Sequence, residues 1–75
     1  MTRNYLIDGK EVLVTWAPRQ HPAVYEILID GRPIPGSVEK TRLGEFLARD
    51  EHGAVIGTFL GLRRAVEQVV RAKLP

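Results

Sequence analysis

Few residues in this chain could carry chemistry, and their spacing assembles none of the usual constellations. A nucleophilic site would need Ser37 or a threonine beside His21 or His52, and nothing in the spacing brings such a pair together. Ser37 is more simply a turn or cap residue. The two histidines, with Asp50 and Glu51, would make a metal site only if the fold joined two loops. Cysteine is absent, so no thiolate can act as nucleophile or ligand and no disulfide stabilises the fold. The run Gly57-Thr58-Phe59-Leu60-Gly61 precedes a helix, but it lacks the Lys-Ser/Thr of a phosphate loop. The expectation is no catalytic residue, no metal and no cofactor.

The remaining chemistry is electrostatic. Arg63, Arg64, Arg71 and Lys73 fall on one side of a C-terminal helical pattern, with Arg42 and Arg49 elsewhere. A basic helix face can contact phosphates, so Arg49, Arg63, Arg64, Arg71 and Lys73 are the nucleic-acid candidates. The competing expectation is a solvated helix face, partly neutralised by Glu67.

These residues need elements to hold them. Asp8-Gly9 and Asp30-Gly31 are hairpin dipeptides, since Asp and Gly tolerate positive φ. Glu11 to Ala17 and Ala23 to Asp30 are strand-like, and Pro18 and Pro22 bracket the loop between them. Tyr5 to Asp8 reads as a short first strand. Arg32 to Val38 reads as an irregular edge strand, because Pro33 and Pro35 cannot donate to a ladder. Residues 38–52 have two readings. As a hairpin, Glu45 to Arg49 turns through Asp50 to Gly53 into Val55 to Phe59. As a helix, Ser37 would cap it and Gly53 would close it. Leu62, Ala65, Val66, Val69 and Val70 recur at helical spacing, which predicts the C-terminal helix.

Alternation sorts the strands into two faces. Val12, Val14, Trp16, Tyr25, Ile27, Ile29, Phe46, Val55 and Phe59 would pack on the helix. Leu13, Thr15, Glu26, Leu28, Glu45, Leu47, Arg49, Ile56 and Thr58 would point away. One small helix cannot cover both faces. Leu13, Leu28, Leu47 and Ile56 are therefore expected as an exposed apolar patch and as the protein-interface candidates. That outer face lacks stacking aromatics and carries one Arg, so it suits nucleic acid poorly.

The chain of 75 residues has room for one domain, spanning residues 1–75, with one thin core. Hydrophobic residues at 44% and charged residues at 27% are globular proportions and argue against disorder. A net charge of +2 does not by itself establish a nucleic-acid partner. No apolar run has the length of a membrane span, and the first residues do not open as a signal peptide, so the expected compartment is the cytoplasm. The fold class expected is α+β: a small antiparallel sheet of four to six short strands packed on one C-terminal helix.

Tyr25 to Gly31, Phe46 to Asp50, Gly53, Gly57-Thr58-Phe59 and Ala65-Val66 form a pattern that resembles small actinobacterial and phage proteins. In that pattern two hairpins precede an Ala-bearing helix. The resemblance covers about two thirds of the chain, from Val24 to Val70. It implies a fold and no activity. The chain is also distantly similar to the three-strand-plus-helix DNA-binding modules of phage integrase arms and AP2-type factors. Those read DNA from a sheet face bearing Arg, Lys and Trp, a composition that the outer face here does not share. The expected function is a non-enzymatic protein-interaction module, with self-association into a homodimer as one form. A nucleic-acid-binding accessory protein using the Arg-rich helix is the alternative.

Overall fold

The computed structural model describes residues 1–73, the Lys73 side chain excepted. They form seven strands and one helix: β1 (Thr2–Ile7), β2 (Lys10–Thr15), β3 (Val24–Ile29), β4 (Arg32–Pro33), β5 (Ser37–Lys40), β6 (Phe46–Arg49), β7 (Val55–Phe59) and α1 (Leu62–Lys73). The sheet is antiparallel, with order β1-β2-β3-β5-β6-β7, and β4 pairs with the far end of β3. The α+β class is as the sequence predicts, with one strand more than the range expected.

The Asp-Gly turns behave as their chemistry requires. Asp8 and Gly9 have φ of 50° and 77°, and Asp30 and Gly31 have 51° and 78°. Two consecutive positive φ values match the twist of the flanking strands. Residues 38–52 are extended, not helical: Val38 pairs with Ala48, and Phe46 with Phe59. Asp50 fixes the turn, since its Oδ1 accepts from the amides of His52 at 2.8 Å and Ala54 at 3.0 Å.

The segment after Asp30-Gly31 departs from expectation. Only Arg32–Pro33 stays at an edge. From Ser37 the chain runs between β3 and β6, so β5 is internal. Neither proline enters β5, so its amides remain available to the ladder. Gly36 makes the crossing, at φ 107°, with Val69 and the Arg49 carbonyl against its Cα. A side chain there would collide with both.

The core is the face between sheet and helix. Val12, Val14, Tyr25, Ile27, Val38 and Ala48 from the strands meet Ala65, Val66, Val69 and Val70 of α1, with Ile7 beside them. These helix residues recur at the spacing of one face, which is why α1 lies flat on the sheet. Two predicted orientations are reversed. Val55 is exposed, at 55%, while Ile56 packs against the core. A bulge explains the exchange: Ala48 pairs with Gly57 but Arg49 pairs with Val55, leaving Ile56 as the extra residue. Trp16 lies just past the end of β2 and is half-buried, packed against the core rim.

Candidate functional site

The sheet's outer face is the candidate interaction surface, and strand register fixes its layout. Leu13 and Leu28 are direct cross-strand partners. Asn4 flanks Leu13, and Pro33 flanks Leu28. Leu6, on the same face of β1 by alternation, is 64% exposed. The apolar strip thus crosses β2, β3 and β4, and Leu6, opposite Glu11, lies diagonal to Leu13. Leu47 sits elsewhere, between Glu39 and Thr58. A polar row containing Thr15, Glu26, Ser37 and Arg49 separates it from the strip. Leu13, Leu28 and Leu47 are each half-buried. The four sequence candidates are thus not one patch: Leu13 and Leu28 adjoin, Leu47 is apart, and Ile56 faces the core.

Two of the three arginines of α1, Arg63 and Arg71, are engaged within the chain. Arg63 donates to Glu67 Oε1 at 2.9 Å and to the Leu6 carbonyl at 3.1 Å, and lies 5.6 Å from the Tyr5 ring centre. The Leu6 carbonyl faces the open side of β1, so Arg63 caps part of that sheet edge. Arg71 pairs with Asp8 at 3.3 Å and with Glu67 at 3.5 Å. Its hydrogen bond to Asp8, foremost, and the Asp8 charge raise its pKa further above the usual range. Arg49 donates to the Gly53 carbonyl at 3.0 Å and braces the β6–β7 turn. Among the described residues Arg64 has no partner. The side chain of Lys73 lies outside the described residues.

The candidate chemical groups stay dispersed. His21 lies in the β2–β3 loop, while His52 lies in the β6–β7 turn, at the opposite end of the strands. Among the described residues no group of three His, Cys, Asp or Glu side chains could hold a metal ion. Ser37 lies in β5 rather than at a helix start. Among the described residues no helix is long and apolar enough to cross a membrane.

One feature went unseen in the sequence. The β2–β3 loop and the loop joining β5 to β6 stand side by side, because β5 lies next to β3. Between them runs a groove of about 770 Å³, with Trp16 and Tyr25 in its wall and Arg19, Lys40 and Arg42 along it. Trp16 and Tyr25 rings are 5.0 Å apart, and Tyr25 and Phe46 rings 5.9 Å. Burial raises the Tyr25 pKa, with a smaller contribution from Tyr5. The sequence signal was present as basic residues in two loops beside aromatic strand ends, but their adjacency depends on β5 being internal.

Comparison with protein-family models, with curated proteins and with solved structures found no match.

Proposed function

We propose that the protein is a non-enzymatic interaction module that associates with a second copy of itself through the outer sheet face. The observation that carries this reading is the Leu13–Leu28 cross-strand pair, extended by Leu6 and Pro33 on the face opposite α1. Among the described residues no second layer lies over these apolar side chains, so they gain from removal from water. A two-fold contact lets the same strip supply both sides. The face serves better than the β1 edge, because Arg63 already occupies the Leu6 carbonyl.

Sedimentation velocity from micromolar to near-millimolar protein tests this. Association that persists at high salt supports the proposal, since burial of apolar area is little screened. Leu28→Lys abolishes it, while Leu47→Lys, outside the strip, leaves most of it intact. Leu13→Ala serves as the milder second variant and weakens it. A monomer at every concentration, or association indifferent to both Leu13 and Leu28, overturns the proposal.

Nucleic-acid binding by α1 is less well supported, because Arg63 and Arg71 are bound to Glu67, Leu6 and Asp8.

A further inference from the structure

We infer that the groove between the β2–β3 and β5–β6 loops binds single-stranded nucleic acid, with a base against Trp16 and phosphates on Arg19, Lys40 and Arg42. The site is distinct from the apolar strip and independent of any self-association. It also differs from Arg63 and Arg71 of the helix, which the fold itself uses.

Three properties of the groove converge. Its volume of about 770 Å³ admits a nucleotide-sized group, and among the described residues no side chain of α1 enters it. Its charged side chains are Arg19, Lys40 and Arg42 against Glu39. Glu26 lies in the adjoining hollow on the other side of Trp16. Among the described residues Arg19 and Arg42 have no ion-pair partner, and Lys40 has only the Phe46 ring, at 5.8 Å. Trp16 is half-buried, and its ring packs at 5.0 Å and 56° against Tyr25, which holds it in the groove wall. Cations tracking a backbone beside an aromatic platform is the arrangement that holds single strands with little sequence preference. An acidic peptide would satisfy the cations but leave the ring unused.

The backbone at Arg19 points the same way. Arg19 has φ 65°, after Pro18 at the start of the same turn. A residue with a Cβ is strained in that conformation, and glycine or asparagine is the usual occupant. An arginine kept there at a cost to stability fits a side chain needed at the groove.

Trp16 is the only tryptophan, so its fluorescence reports this site alone. Short oligothymidylate, titrated into the full chain, is the probe, with polyglutamate as a second polyanion. The expected result is saturable quenching by oligothymidylate, weakening with salt at a log–log slope of about −2, from three phosphates at about −0.7 each. Polyglutamate does not quench, and it competes much more weakly at matched charge because it leaves the ring unused. Lys40→Ala and Arg42→Ala each flatten the slope by about 0.7. Arg19→Gly weakens binding while raising the melting temperature, a pairing that a merely structural role for Arg19 does not produce. Absence of quenching, equal competition by polyglutamate, or binding untouched by all three substitutions overturns the proposal.

Discussion

Gly36→Ala separates two costs that usually arrive together. The first is conformational. Gly36 sits at φ 107°, where an L-residue is strained by about 1–2 kcal/mol, offset by about 0.4–1 kcal/mol from a stiffer unfolded chain. The second is steric. A Cβ at Gly36 would lie 2.8 Å from Val69 Cγ1 and 3.0 Å from the Arg49 carbonyl oxygen. Overpacking of this kind costs about 1–3 kcal/mol. Gly44 provides the control, since it too has positive φ, 80°, but nothing lies within 4 Å of its would-be Cβ. Gly44→Ala should therefore lose about 1 kcal/mol or less, and Gly36→Ala about 2–4 kcal/mol. Folds of this length hold roughly 4–11 kcal/mol in total, at about 0.05–0.15 kcal/mol per residue, so Gly36→Ala still folds but melts early. At about 4–8 °C per kcal/mol, its melting temperature should fall by roughly 10 °C or more below wild type, and Gly44→Ala by much less. Thermal denaturation followed by circular dichroism reads both. Adding Val69→Ala to Gly36→Ala should cost less than the sum of the two, because the clashing methyl is gone. Equal melting of the two alanine variants, or strict additivity with Val69→Ala, would refute the placement of β5 beneath α1.

Ile27→Ala should cost about 2–5 kcal/mol, because Ile27 is 1% exposed, while Leu28→Ala next to it costs clearly less; urea denaturation checks the strand's facing. Arg63→Ala removes the cap on β1, so hydrogen exchange should quicken at the amides of β1 while stability drops by only about 1 kcal/mol or less, as befits a contact whose side chain is 55% exposed. Tyr25 should add pH dependence on the alkaline side. Its folded pKa is raised, so its contribution is complete below the unfolded value near 10, and is lost as pH rises above that value and through the folded one. Tyr25→Phe should flatten that part of the alkaline loss of melting temperature.

Much of the frame was legible in the sequence because it rests on local rules. The two Asp-Gly turns, the core face of β2 and β3 and the helix stripe follow from φ tolerance and from periods of two and 3.6. What escaped depends on contacts far apart in sequence or on a single residue of register. The bulge at Ile56 exchanges the faces of Val55 and Ile56, and period two alone has no way to show it. Pro33 and Pro35 keep only their own stretch out of the ladder, and Gly36 releases the chain after them. The Glu67 pairs of Arg63 and Arg71 follow from i,i+4 spacing, but their second partners, Leu6 and Asp8, lie 57 and 63 residues away. Leu47 shared a face with Leu13 and Leu28 without being their neighbour, since parity gives the face and pairing gives the position.

Self-association through the Leu13–Leu28 strip is tested most directly by NMR on a mixture of isotope-labelled and unlabelled chains at high concentration. Filtered intermolecular NOEs between the copies should appear at the methyl groups of Leu13, Leu28 and Leu6, and disappear in Leu28→Lys. Intermolecular contacts confined to α1 or to the Leu47 region, or none at concentrations where sedimentation detects association, would contradict it.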